Sequence, residues 1–444
     1  MKICRLFLWK YLFPFLFAIS LQAQGESYTW TTIAGTPGVG GSVDGTNRGA
    51  LLNRPSGLAL ASDGSLFFSE QTTNTIRKIT PIGNDWVVTT IAGLAGALGS
   101  ADGTNSDARF NRPSSVALDG AGNLFVTDNF NDTIRKITSV GTDWVTTTVA
   151  GMAGVAGYDD GTNSQVRFRR PQAIAIDGAN NLYVTDRLNF TVRMLEPVGT
   201  NLVSSTIAGL PSIYGGFADG LNWNAEFNLP WGIAVNSAGI LFVADFGNNA
   251  IRRIERVAPG WKTTTIAGFS GTTGTNDGPG SVAMFNSPNG ITADSEGTLY
   301  VTDQYNNAIR KLTPDGADWV VSTIGGLAGQ DGTNDGVGAV ARFYRPWGIA
   351  IDKNRCLFVA DNFNNTIRMG VPPSPPTLQI TWAGDHLVLT WPVVSSNYVL
   401  ETTASLGSGA SWAPLTNGIA VSGGSCLLTN STAASTAFFR LRKE

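Results

Sequence analysis

From residue 28 to residue 370 the apolar residues come in short runs rich in β-branched and aromatic side chains, each bounded by Gly, Asn or Asp. One stretch shows the order. Ser115-Val116-Ala117-Leu118 leads through the turn Asp119-Gly120-Ala121-Gly122-Asn123 into Leu124-Phe125-Val126-Thr127-Asp128. A polar loop then precedes Thr133-Ile134-Arg135-Lys136-Ile137, and Trp144-Val145-Thr146-Thr147-Thr148-Val149 closes the unit. Short β-branched runs between turn residues predict strands. No 3.6-residue periodicity argues for a helix.

The unit repeats. A T-[IV]-[AG]-G signature places Ile33, Ile91, Val149, Ile207, Ile266 and Ile324 at intervals of 58 residues, with one interval of 59. An Asp-Gly follows each signature (Asp44, Asp102, Asp160, Asp219, Asp277, Asp335), and then a proline (Pro55, Pro113, Pro171, Pro230, Pro288, Pro346). A fixed period means one supersecondary unit copied and stacked. Four antiparallel strands in each of six units predict a six-bladed β-propeller. The chain enters on an orphan fourth strand, Tyr28 to Ala34, and leaves the last unit after a third strand, Asn365 to Arg368. Pairing the two would close the ring. The outer strands are threonine-rich, which keeps an exposed edge polar. A tryptophan opens the outer strand at Trp86, Trp144, Trp261 and Trp319; Leu202 replaces it once, and Trp30 lies near the place in the orphan strand. Residues recurring once per unit read as packing elements.

The run from Phe285 to Ile291, followed by Leu299-Tyr300-Val301-Thr302-Asp303 and Asn306-Asn307-Ala308-Ile309-Arg310-Lys311, resembles the NHL repeat. The resemblance covers about residues 28–370 and implies a six-bladed propeller; it implies no single activity, because such propellers serve as peptide, protein and RNA binders and occasionally as enzymes. The copies here are longer than usual, the extra residues lying in the Asp-Gly segment.

The rest of the chain divides readily. Residues 1–23 carry Lys2, Arg5 and Lys10 before an apolar run, the pattern of a signal peptide. A cut after Ala23 is expected, an uncleaved anchor being the alternative. A secreted, periplasmic or cell-surface location follows. Residues 371–376 form a Pro-rich linker. Residues 377–444 alternate in short strands and predict a small β-sandwich module resembling fibronectin-III-like C-terminal modules. The fold class is therefore all-β: a propeller closed by an N-terminal strand, plus the sandwich.

Composition limits the chemistry. Net charge is −3, with 30 basic and 33 acidic residues and no basic cluster, which argues against nucleic acid as partner. Cys356 and Cys426 remain after processing and read as free thiols, a bridge between them in an oxidising compartment being the alternative. The single histidine, His386, lies in the C-terminal module after the turn Ala383-Gly384-Asp385 and reads as a solvated turn residue. The propeller thus lacks the base of a Ser-His-Asp or Cys-His site and the multiple histidines of a zinc site. A calcium-dependent, lactonase-like hydrolase is the enzyme alternative, since calcium needs only oxygen ligands. Its candidate is Glu70, the one strand-end acid that is not Asp (Asp128, Asp186, Asp245, Asp303, Asp361). The competing reading pairs each such acid with the arginine of the next strand, as Asp128 with Arg135, and uses Asn131 and its counterparts to satisfy the loop. Asp-Gly loops such as Asp331 to Gly336 lack the EF-hand acid pattern and read as Asx turns.

The Asp-Gly connections and the loops after the strand-end acids share one end of the channel, and there the copies differ. The residue after the proline is Ser56, Ser114, Gln172, Trp231, Asn289 or Trp347. Phe130, Arg187, Phe246, Tyr305 and Phe363 follow the strand-end acids. Aromatics with interspersed amides suit sugar faces or peptide side chains. The function expected is non-catalytic binding of a glycan, peptide or protein, with Trp231 and Trp347 as anchors; packing between loops is the competing account of the rings.

Overall fold

The computed structural model describes residues 27–374 and, beyond them, 378–383, 386–392, 398–403, 411–415, 419–422, 425–431 and 438–443. The leader expected over residues 1–23, and Pro375 and Pro376 of the linker, lie outside the described residues. Contacts divide the chain into a unit of residues Ser27–Pro373 and a second containing Ser374–Glu444.

The first unit is six antiparallel sheets. In the second blade the inner strand is Pro113–Leu118, followed by Leu124–Asp128, Thr133–Val140 and the outer strand Asp143–Gly151. The inner strands of successive blades lie side by side around the channel. Gly232, Gly290 and Gly348 make the approach possible: a Cβ there would lie 2.1 Å from Asn289 O, 2.2 Å from Trp347 O and 2.1 Å from Ser56 O. The last of these joins the sixth blade to the first, as does the bond from Asn362 Nδ2 to Pro55 O (2.8 Å). The ring is closed. Thr29–Ala34 supplies the outer strand of the sixth blade by pairing antiparallel with Thr366–Val371.

The edges differ from expectation. Five of the six sheets gain a fifth, two-residue strand, such as Gly103–Thr104 against Val145 and Thr146. The Asp-Gly segment therefore folds back over the outer strand and covers part of the edge that threonines alone were expected to blunt. The asparagine next in sequence clamps it: Asn105 Nδ2 donates to Asp143 (2.9 Å) and Asn105 Oδ1 accepts from Trp144 N–H (2.8 Å).

Blades pack through aromatic pairs at matching positions. Trp86, Trp144, Trp261 and Trp319 each meet an aromatic of the preceding blade edge-on, at 5.7 to 6.2 Å between centroids. In the sixth blade Tyr28, not Trp30, holds this register, 6.3 Å from Tyr300. Counting five residues back from Ile33 gives Tyr28, as Trp86 lies five before Ile91. Trp30 fills a gap unique to the seam. Gly325 and Gly370 stand where other blades carry Ala and Ile or Leu, and a Cβ on either would lie 2.4 or 2.6 Å from the Trp30 ring. Its Nε1 donates to Ile324 O at 3.2 Å.

The second unit has a four-stranded sheet and a three-stranded sheet. Leu389, Trp391 and Leu428 of the first pack with Leu400 of the second in one core, a small sandwich. His386 opens the strand His386–Pro392, paired with Ala383, so its backbone is not in a turn as expected; its side chain lies outside the description. Cys356 and Cys426 are free and half-buried.

Candidate functional site

The strand-end acids belong to a repeated ion-pair frame. Asp128 is fully buried and accepts from Asn111 N–H (2.7 Å), Asn131 Nδ2 (2.7 Å) and Arg135 Nη1 (2.8 Å). Arg135, also fully buried, uses Nη2 to hold the loop residue Asp102 at 2.8 Å, and Asp102 takes Thr148 Oγ1 of the signature at 2.9 Å. The same acid–arginine–acid bridge stands in every blade. At the seam Asp335 takes Thr32 of the N-terminal strand. The signature thus codes for the frame: Thr binds the loop acid, and the final Gly has φ near 90° in Gly93 and Gly151, where a side chain would strike the carbonyl of Asn74 or Asp132.

Glu70 is the first blade's version of the same acid. It is fully buried and accepts from Asn53 N–H, Thr73 Oγ1, Thr75 Oγ1 and Arg77 Nη1, all at 2.8 to 3.1 Å. Thr73 replaces the asparagine of other blades, and the longer acid reaches the shorter partner. Its oxygens are thus taken up by protein donors. Burial pushes Asp128, Asp186, Asp245 and Asp361 up to about 6 against the pull of each arginine, and moves Glu70 and Asp303 the same way.

At the channel end the blades differ. Ser114, Gln172, Trp231, Asn289 and Trp347, from five of the six inner strands, line a cavity of about 70 Å³. One water needs roughly 10–15 Å³ of such space, so this end has room for a few waters or a small polar group. Trp231 is 8% exposed and Asn289 1%, yet Trp231 Nε1 and Asn289 Nδ2 have no hydrogen-bond partner in the protein. Buried polar groups are generally paired, so two unpaired donors on one small cavity mark it as a place for an acceptor.

Around the cavity the expected residues form a belt. The Trp231 ring lies 5.3 Å from Trp347 and 4.3 Å from Phe246, and Phe246 lies 6.2 Å from Tyr305. The Arg187 guanidinium sits over Trp231 at 4.4 Å. Among the described residues Phe130 and Phe363 form no ring pair with the tryptophans; each instead lies beneath two arginines. Arg112 and Arg170 cover Phe130 at 4.5 and 3.3 Å, and Arg54 and Arg345 cover Phe363 at 4.3 and 4.6 Å. Arg345 also lies 4.8 Å from Tyr305.

These four arginines are absent from the sequence reading, which took only Arg187 from this face. The available signal was the Arg-Pro dipeptide in four of six units. All four have φ of 51° to 58°. That left-handed conformation costs of order 1–3 kcal/mol in a non-glycine residue. It is held by a latch between blades: Arg54, Arg112, Arg170 and Arg345 each donate their backbone N–H to Asn365, Asn74, Asp132 or Asn307 at 2.8 to 2.9 Å.

A closed ring with a repeated ionic frame and a varied, cation-rich mouth defines a propeller scaffold that presents side chains at one end of its channel. Residues 102–313 match the family model of the Teneurin NHL domain. The chain is 28% identical over 276 residues to NHL repeat-containing protein 2 of Homo sapiens, covering 55% of this chain and 36% of that protein. It is 29% identical over 299 residues to protein SUPPRESSOR OF QUENCHING 1, chloroplastic, of Arabidopsis thaliana, covering 62% and 26%. It thus spans about a quarter to a third of these curated relatives. Among solved structures, a Bacteroides thetaiotaomicron protein of unknown function aligns with a TM-score of 0.60 at 19% identity, over 78% of this chain and 77% of that one. An auxiliary nutrient binding protein from Bacteroides ovatus aligns at 0.58 and 17%, over 79% and 78%. The propeller is of the NHL-repeat type.

Proposed function

We propose that this is a secreted, non-catalytic binding protein whose propeller mouth holds a glycan, peptide or protein. The observation that carries the reading is the contrast at one end of the channel. The buried frame repeats in all six blades, while the mouth above it varies and leaves buried donors on Trp231 and Asn289 unpaired. Unlike the unpaired Nε atoms of the frame arginines, these donors belong to residues that line a cavity, where a ligand's acceptor could reach them. The fold likeness to a protein described as an auxiliary nutrient binding protein is consistent with such a role. Among the described residues no helix is long and apolar enough to cross a membrane. A signal peptide over 1–23 would deliver the chain outside the cytoplasm, and the sandwich over 377–444 would serve as an attachment or spacing module.

The test is titration of the purified protein with panels of oligosaccharides and peptides, read by tryptophan fluorescence and calorimetry. A Trp231→Ala, Trp347→Ala double variant is expected to lose affinity for whatever binds. Unchanged affinity in that variant would remove the mouth from the reading.

A further inference from the structure

The belt carries charge that the protein does not neutralise. Each frame arginine holds two carboxylates. Among the described residues, the side chains of Arg54, Arg112, Arg170, Arg187 and Arg345 have no ion pair and no hydrogen bond, and stack on aromatic rings instead. Arg170 Nη1 and Arg187 Nε are moreover buried without a partner. Burial, and then the charge of Arg170, disfavour the Arg187 cation; burial and the charge of Arg112 do the same to Arg170, with Asp132 opposing them. Asp132 is the carboxylate coupled to this group, facing Arg169 and Arg170, and its Oδ1 already accepts the Arg170 backbone N–H. Unpaired buried donors together with clustered guanidiniums call for an anion with several acceptor oxygens.

Size and shape narrow the class. The 70 Å³ cavity has room for a carboxylate. Outside it, the half-buried Trp347 and Phe363 and the 42%-exposed Tyr305 offer ring surface beside the guanidiniums, an arrangement that suits a sugar face. The inner strand of each blade is the edge of its sheet, but neighbouring inner strands close on one another at Gly232, Gly290 and Gly348, which leaves little space there for a peptide strand to pair. We propose that the mouth binds an acidic sugar chain, one carboxylate entering the channel end against Trp231 Nε1, Asn289 Nδ2 and Arg187, while flanking sugar rings lie over the belt. This rests on the binding reading above and names its ligand class.

The experiment is calorimetric titration of the full chain with three probes: an oligogalacturonate, its methyl ester, and an oligoglutamate. The oligogalacturonate is expected to bind, and the ester, alike in shape but uncharged, to bind at least about tenfold more weakly, as loss of a charge-assisted bidentate contact requires. Arg54→Gln with Arg112→Gln, both on exposed side chains, should weaken oligogalacturonate by about tenfold or more with an unchanged melting curve, and Arg345→Lys should weaken it less than Arg345→Gln. Equal affinity for acid and ester overturns the charge claim and leaves glycan binding standing. Tighter binding of oligoglutamate overturns the sugar claim. Binding of none of the three overturns this proposal, and a silent response to the neutral glycan and peptide panels as well would take the binding reading with it.

Discussion

A single buried arginine explains much of each blade. Arg135 joins Asp128 at the strand end to Asp102 in the loop, and through them the second, third and outer strands of one sheet. A buried ion pair adds little net stability, because desolvation offsets its attraction, but removing one partner strands a charge at a cost of about 3–5 kcal/mol. Asp128→Ala should therefore lose about that much in urea unfolding; a loss below about 1 kcal/mol would show that Arg135 finds water instead. Glu70 follows the same logic. Glu70→Gln should destabilise the fold, with a lower melting temperature as the readout, and a calcium-dependent ester or lactone hydrolysis abolished by this change without destabilisation would restore the enzyme alternative. The sequence made Asp128 with Arg135 legible as a pair. It gave no sign that both ends of the guanidinium were used, because Asp102 and Arg135 are 33 residues apart and meet only when the loop folds back.

Among the elements, the seam between the ends of the ring is the most particular. Trp30 occupies space opened by Gly325 and Gly370. Trp30→Ala should cost about 3–5 kcal/mol, the usual range for emptying a large buried aromatic site. Gly370→Ile alone should overpack the seam. Combined with Trp30→Val it restores the pairing of sizes found in the other blades, so the double variant should be more stable than the sum of the singles predicts. Additive losses in thermal unfolding would mean the swap is not coupled. The acid frame sets a pH dependence across all blades. The four aspartates held near 6 in the folded chain titrate near 4 when unfolded. The folded state binds those protons more tightly, so this contribution is complete below about pH 4 and is lost as pH rises through about 6. A lower unfolding midpoint at pH 7.5 than at pH 5 is expected, and a midpoint that climbs over that interval would contradict it.

At the scale of the whole molecule, ring closure makes the last strand of the propeller depend on its first. Deleting residues 28–34 removes the partner of Thr366–Val371 and the Asp335–Thr32 bond together. Hydrogen exchange should then show protection lost first in Thr366–Val371, and retained protection there would mean that another segment supplies the edge. The curvature of the ring also shapes the mouth, since Trp231 and Trp347 come from the fourth and sixth blades and meet across the channel. By itself the sequence determined the four main strands of each blade, the number of blades and the closing pair, because a period of 58 residues and a period-two pattern are local properties of a chain. It also marked Trp231, Trp347, Phe246 and Tyr305, through their variation against a fixed frame. Only the tertiary structure decided that Tyr28 and not Trp30 continues the aromatic series, that Asp-Gly segments cover the outer edges, and that the Arg-Pro residues stand over Phe130 and Phe363. Those outcomes depend on contacts between blades, where sizes and charges far apart in the chain are matched by folding.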